Sequence, residues 1–207
     1  MLWLCAVLAM VSVIGANMWR ARTAGPAADG LPVEAEEHLP VMAGAPAFAL
    51  VDQNDKPRTL DMLRGKPFIA NFIFTHCAGP CPVMTARMSS LQKSVPVDVK
   101  LISFSVDPTQ DRPAVLKDYA AKFNADDSRW HFLTVAKPEE ASTIYALARG
   151  MLVSALPAND ENPIIHSEKF ILVDAAGKIR GYYDSGDTEQ MGKLKSDAAE
   201  LAGATNP

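Results

Sequence analysis

A run of seven residues at positions 68–74, Phe-Ile-Ala-Asn-Phe-Ile-Phe, has a single polar side chain and restricts the fold more than any other feature. A short apolar run of this kind is typical of a buried β-strand. Because neither face of such a strand tolerates water, both faces have to be covered, as in the central strands of α/β sheets. We therefore expect residues 68–74 in the middle of a sheet.

The rest of the chain predicts strands that alternate with helices, the pattern of an α/β fold with a mainly parallel central sheet flanked by helices. The last two predicted strands form a hairpin, which we expect at an antiparallel edge of that sheet. The predicted strands are 48–51, 68–74, 99–106, 131–135, 169–173 and 178–183, and the predicted helices are 82–93, 113–123, 138–148 and 188–201.

Two cysteines, Cys77 and Cys81, follow the apolar run directly. A strand-to-helix turn would place them at a helix N-terminus, where the pKa of a thiol falls and the thiolate can act as a nucleophile or a metal ligand. Three residues separate the two cysteines, so one helical turn can aim both sulfurs at the same point. A disulfide that braces the loop is the alternative, but closing so short a loop stabilises the fold little.

His166 is the third candidate ligand, because it stands just before the predicted strand 169–173. Taken alone, a histidine in such a place is more often a hydrogen-bonded loop residue. Together with two thiolates, its imidazole completes a soft donor set that favours Cu(I) in a low-coordinate site. Zn(II) would favour a fourth ligand or a water.

Four sequence blocks, at residues 72–82, 103–113, 130–134 and 163–174, resemble in order and spacing the Sco/SenC family of copper-binding proteins for cytochrome c oxidase assembly. The resemblance covers residues 41–200. It implies a thioredoxin-like fold in which the strand entrance at His166 faces the dithiol, and it makes Cys77, Cys81 and His166 the copper ligands. It also matches Asp107 to an acidic position near the site.

Two positions depart from the family pattern. Ala78 follows Cys77 where many relatives carry proline, and Ile165 precedes His166 where many carry aspartate. The missing carboxylate removes a hard donor, so we expect its loss to weaken Cu(II) binding more than Cu(I) binding. The three soft ligands are unaffected.

Three functions fit these features. The first is delivery of Cu(I) by ligand exchange to a respiratory oxidase subunit, with a thiol reductase as a further partner. The second is a thiol-disulfide oxidoreductase that uses the redox dithiol Cys77 and Cys81 to reduce a partner's cysteines. The third is a peroxide-reducing enzyme. That chemistry would need a Thr or Ser and an Arg close to one peroxidatic cysteine, and the sequence shows no such motif. His166 separates the first two functions, because thiol exchange needs only the cysteine pair.

The N-terminal residues 2–19 carry no charge and are followed by Arg20 and Arg22, which predicts a single-pass membrane segment near the lower length limit. A cleaved signal peptide is the rival, although a basic start and a good cleavage pattern are missing. We assign 1–22 to the anchor or signal, 23–40 to a flexible tether and 41–203 to the copper-binding domain. The resemblance places the domain on the periplasmic or extracytoplasmic side of the cell inner membrane, whereas the two arginines favour the cytoplasmic side.

Charge and the absence of repeats argue against two other classes, nucleic-acid-binding proteins and solenoids. The net charge is −4, and basic residues do not cluster as nucleic-acid binding requires. No internal repeat of the kind that builds solenoids is visible.

Several residues near the motifs have simpler explanations. Met84 and Met88 are expected to fill the core between a helix and the sheet, as methionine often does. His131 is expected to be structural, and His38 lies in the predicted tether. His76 could either act on the neighbouring Cys77 or face solvent.

Overall fold

A computed structural model of the protein describes residues 39–157 and 164–203. The compact unit to which these ranges belong begins at Leu39. The predicted anchor and nearly all of the predicted tether lie outside the described residues. Within the described ranges, no helix combines the length and the apolar character needed to cross a membrane.

The described residues form one eight-stranded sheet and one two-stranded sheet. The strands are β1 Ala43–Gly44, β2 Ala49–Asp52, β3 Pro57–Thr59, β4 Phe68–Ile73, β5 Lys100–Ser105, β6 Trp130–Thr134, β7 Ala155–Leu156, β8 Ile165–His166, β9 Lys169–Val173 and β10 Lys178–Asp184. The larger sheet has the order β1-β10-β9-β4-β5-β6-β2-β3, and β7 pairs with β8.

The helices of the described part follow the predicted order. They are α1 Pro80–Ser94, α2 Pro113–Lys122, α3 Ser142–Gly150 and α4 Thr188–Leu201, with short 3-10 helices at Asp61–Leu63 and Pro138–Glu140. Helices α1 and α2 both begin at a proline, which suits the first helical turn because its N–H would be unpaired there anyway. The side chain of Asp187 caps α4 by accepting from two backbone N–H groups of its first turn.

Strand β4 confirms the prediction of a central, doubly covered strand. All six of its residues are buried. It pairs in parallel with β5 on one side and antiparallel with β9 on the other. Phe68, Ala70 and Phe72 pack on one face of the sheet, whereas Ile69 and Ile73 pack on the other.

The prediction of a mainly parallel sheet is wrong, although the mixed α/β architecture is confirmed. Within the described residues, parallel pairing joins β4 to β5 and β5 to β6, and the other pairings of the large sheet are antiparallel. The β9–β10 hairpin is not an edge either, because β9 pairs with β4 and the short strand β1 covers β10. Four of the five residues of β9 are buried, as suits an interior strand.

The sheet separates two hydrophobic cores, so helices do flank both faces as predicted. On one face, Ile144, Leu147 and Ala148 of α3 pack against the sheet. On the other face, α1, α2 and α4 bury their apolar stripes, and Cys81 belongs to this second core. The dithiol is therefore built into a packed layer, at the end of the sheet where β4 stops.

Candidate metal centre

The turn after β4 carries the two cysteines, and both are free thiols. Cys77 is half-buried in the turn, and its N–H donates to the carbonyl oxygen of Phe74 at 3.4 Å. Cys81 is fully buried as the second residue of α1. Pro80 fixes this start, because its ring holds φ near the helical value. The proline therefore decides which cysteine enters the helix.

Helix α1 turns one stripe of side chains towards the core. Cys81, Met84, Thr85, Met88 and Leu91 are its buried residues, at the three- and four-residue spacing of an amphipathic helix. Met84 and Met88 are completely buried in the second core, so the prediction that they fill it is confirmed. The same stripe fixes the direction in which Cys81 points.

His166 approaches the dithiol from β8, which β7 supports by pairing Ala155 with His166. Its Nε2 lies 2.9 Å from Sγ of Cys81, and its Nδ1 lies 3.1 Å from the carbonyl oxygen of Ser167. Because a carbonyl oxygen can only accept, the ring proton belongs on Nδ1 and the lone pair of Nε2 faces the sulfur. Phe74 holds the ring edge-on, with centroids 5.6 Å apart.

The three predicted ligands meet at one place. The two Sγ atoms and a ring nitrogen of His166 all lie within 4.8 Å of one another. Two sulfurs and one imidazole nitrogen are a donor set that suits Cu(I), and fixing the ring through its second nitrogen is the usual way in which proteins orient a metal-binding histidine. The arrangement can therefore hold one soft metal ion, or it can exchange the dithiol with a disulfide.

Burial controls the protonation of the site. It raises the pKa of the Cys81 thiol far above the usual value, and the neighbouring Cys77 adds to this rise. The expectation that the helix N-terminus lowers the thiol pKa is therefore wrong for Cys81, because loss of solvation outweighs the helix dipole. Burial also lowers the pKa of His166 and keeps its imidazole neutral. A metal ion that binds here has to displace the Cys81 proton.

Asp111 ties down the loop that carries Cys77, a role that the sequence analysis missed. Its buried carboxylate accepts from the hydroxyl of Thr75 at 2.5 Å, from the N–H of Thr75 at 3.1 Å and from the hydroxyl of Ser105 at 2.6 Å. Thr75 is two residues before Cys77, so the carboxylate joins the loop to the end of β5. In the sequence, Asp111 resembles an ordinary turn or helix-capping aspartate.

Asp107, the acidic residue named from the family pattern, has contacts within its own turn. Its N–H donates to the Ser105 hydroxyl at 3.1 Å, and its carbonyl oxygen accepts from the N–H groups of Gln110 and Asp111. A role for Asp107 beside the metal ligands stays a prediction.

The other histidines lie apart from the three ligands or outside the description. His76 is exposed, and its Nδ1 lies 3.1 Å from the hydroxyl of Thr75. His131 is buried on β6. His38 and the side chain of Ile165 lie outside the described part of the structure.

Comparison with known proteins agrees with the site. The SCO1/SenC family model matches residues 37–200. The SCO1 protein homologue of Bacillus subtilis is 36% identical over 153 residues, which cover 72% of this chain and 78% of the relative. The chain therefore belongs to the SCO1/SenC family, and the predicted family membership is confirmed.

Solved structures support the thioredoxin-like Sco fold. BsSco, described as having a disulfide switch and as a member of the Sco family of cytochrome c oxidase assembly proteins, has a TM-score of 0.67 and 32% identity, covering 79% of this chain and 95% of its own. ScoI of Bradyrhizobium japonicum, solved with copper bound, has a TM-score of 0.63 and 27% identity, covering 77% of this chain and 99% of its own.

Proposed function

We propose that this protein binds Cu(I) through Cys77, Cys81 and His166 and delivers it to a subunit of a respiratory oxidase. The observation that carries the proposal is the cluster of two sulfurs and one imidazole nitrogen within 4.8 Å. Soft sulfur donors select Cu(I), and no hard carboxylate belongs to the cluster formed by the described residues.

The difference in burial between the two cysteines supports a delivery role. Cys81 is sealed in the core, whereas Cys77 is half-buried and the residue after it is exposed. An acceptor can therefore replace the bond from copper to Cys77 first, with its own thiolate or imidazole, while Cys81 and His166 still hold the ion. The freed thiolate takes up the proton that it lost when copper bound.

The proposed acceptor and location rest on the family. BsSco is described as a member of the Sco family of cytochrome c oxidase assembly proteins. We place the domain on the periplasmic side of the inner membrane, anchored by the uncharged residues 2–19 and joined by the tether 23–40. A thiol reductase is the proposed second partner, since copper binding requires the dithiol to be reduced.

Thiol-disulfide exchange is a second candidate function, favoured by the closeness of the two free thiols. One thiolate would attack a partner's disulfide to form a mixed disulfide, and the other would then release it. The partner gains two electrons and two protons, and Cys77 and Cys81 become a disulfide. This reaction needs both sulfurs but makes no use of His166 as a ligand.

Replacing His166 separates the two functions. We expect His166→Ala to weaken Cu(I) binding by more than about tenfold, because one of three ligands is lost, while the dithiol still reduces a model disulfide. The measurement is an anaerobic competition of the reduced full-length chain against a chromogenic Cu(I) chelator.

His76→Ala is the matched control, since His76 is exposed and adjoins Cys77 without belonging to the metal cluster. It should keep the affinity of the unchanged chain. Equal Cu(I) affinity in both variants, together with rapid reduction of the disulfide, would contradict copper delivery and favour the oxidoreductase.

A further inference from the structure

A cavity of about 550 Å³ opens at the end of the sheet opposite the thiols. Its lining includes Lys66, which stands before β4, Lys100, which begins β5, and Ser128, which stands before β6. Because these three strands are parallel, the cavity lies at their N-terminal ends, whereas Cys77 follows the C-terminal end of β4. A strand of six residues separates the two ends by about 20 Å.

The lining of this cavity is strongly basic. Arg58, Arg64, Lys66 and Lys100 contribute four cationic side chains, against the single carboxylate of Asp127. That carboxylate is engaged elsewhere, because it accepts from the side-chain amides of Gln53 at 2.7 Å and Asn54 at 3.2 Å. Three of the cations also pair with carboxylates outside the lining, Arg58 with Asp52, Arg64 with Asp61 and Lys66 with Asp98. The cavity therefore presents the cationic side of these ion pairs, and an anion inside it would contact the cations directly.

The two lysines can be turned towards a ligand at low cost. Lys66 pairs with Asp98, and both side chains are about half exposed, so the ion pair contributes little. Lys100 donates to the carbonyl oxygen of Ser128 at 3.0 Å, a partner without charge. Burial lowers the pKa of Lys100, and the nearby charge of Lys66 lowers it further. A bound anion would relieve this repulsion.

His131 adds an unsatisfied polar group to the same cavity. The residue lines the cavity and is only 6% exposed, and its buried Nδ1 has no hydrogen-bond partner in the described part of the chain. The nearest carboxylate oxygen, on Asp52, is 3.9 Å away. Leaving a buried polar atom unpaired costs free energy, which a ligand with a suitable hydrogen-bonding group would remove.

We propose that this cavity binds an anionic ligand that carries phosphate. Arg58 gives N–H groups to Asp52, and Arg64 gives N–H groups to Asp61 and to the carbonyl oxygen of Ala176. A guanidinium has five N–H donors, so each can also bind phosphate oxygens, and the volume falls in the range of small-molecule sites. Met62, which is 61% exposed, offers an apolar contact for the body of the ligand. The phosphate belongs either to a soluble phosphorylated molecule or to a phospholipid headgroup.

The test is calorimetric titration of the full-length chain in a neutral detergent with two probes. The first probe is inorganic pyrophosphate, and the second is glycerophosphoglycerol, the headgroup of phosphatidylglycerol. The double variant Lys66→Gln/Lys100→Gln should bind the preferred probe about tenfold more weakly, since two charge-assisted contacts are lost. The control is Lys117→Gln/Lys122→Gln, which removes the same charge from exposed positions on α2 and should leave the affinity unchanged.

The outcomes show which source of phosphate the cavity recognises and whether the cavity binds phosphate at all. Binding of pyrophosphate alone supports a soluble ligand, binding of the headgroup alone supports a lipid, and binding of both supports recognition of phosphate itself. The proposal is overturned if neither probe binds, or if both double variants weaken binding equally. Cys77→Ser should bind the preferred probe normally, and loss of binding there would contradict a site at the opposite end of the sheet.

Discussion

At the scale of single residues, Asp111 joins the loop that carries Cys77 to the end of β5. Its carboxylate is completely buried and accepts three hydrogen bonds, two from Thr75 and one from Ser105. These bonds offset the cost of burying the carboxyl group, whose pKa is nevertheless raised by loss of solvation. Asp111 does not belong to the metal cluster, so its effect on copper has to pass through the loop.

We predict that Asp111→Asn destabilises the fold and weakens copper binding together. An amide replaces one acceptor oxygen by a donor that faces other donors, which should lower the free energy of unfolding by about 1–3 kcal/mol. Cu(I) affinity should fall by about tenfold, as for other residues that orient metal ligands. Urea unfolding and chelator competition measure the two effects.

Asp118→Asn makes the same chemical change at an exposed position of α2 and serves as the control. Its stability and affinity should match those of the unchanged chain. If Asp111→Asn behaves like this control, the hydrogen bonds of Asp111 do not position the loop.

The meeting of Cys77, Cys81 and His166 could be predicted from sequence because the chemistry of cysteine and histidine is specific and the family motifs fix their order. Asp111 could not, since its role depends on Thr75, which is 36 residues away in the chain. The protonation of Cys81 was also wrongly anticipated. Sequence position indicates a helix N-terminus, but the degree of burial there depends on the packing of α1 against the sheet.

At the scale of secondary-structure elements, the pairing of β10 with β9 is irregular next to Gly181. The pairing register shifts between Ile179 and Gly181, and a side chain at Gly181 would collide with Tyr183. A Cβ there would lie 2.5 Å from the Tyr183 hydroxyl, which donates to Asp197 at 2.5 Å. Tyr183 cannot move away without losing that bond, so its close approach requires glycine at position 181.

Two glycine substitutions test this description of β10. Gly181→Ala should lower the free energy of unfolding by about 1–3 kcal/mol through overpacking against Tyr183. Gly192→Ala, inside α4 where nothing lies within 4 Å of the added methyl group, should raise it by about 1 kcal/mol. Urea unfolding measures both changes, and a Gly181→Ala protein as stable as the unchanged chain would contradict the proposed collision.

The predicted elements agree best where the sequence is long and strongly patterned. Strand β4 and the four helices were anticipated, because a wholly apolar run and proline-led amphipathic segments are clear signals. Strands β1, β7 and β8 have two residues each, too few for any periodicity. The prediction that most strands are parallel is wrong because an alternating order of strands and helices does not reveal that β9 inserts next to β4.

At the scale of the whole domain, the parallel strands β4, β5 and β6 separate the cluster of soft metal donors from the basic cavity. Soft donors gather beyond their C-terminal ends, and basic side chains gather around a cavity at their N-terminal ends. The sheet between them is rigidly packed on both faces. The two ends can therefore be altered independently, which keeps the tests of copper binding and phosphate binding separate.

The central claim is that copper is bound by Cys77, Cys81 and His166, and X-ray absorption of the anaerobically loaded, reduced full-length chain tests it most directly. We predict one copper ion per chain, in the Cu(I) state, surrounded by two sulfur atoms and one nitrogen. Cys77→Ser should lose one sulfur from this shell and bind copper more weakly. Absence of sulfur around the copper, or unchanged affinity in Cys77→Ser, would contradict the account.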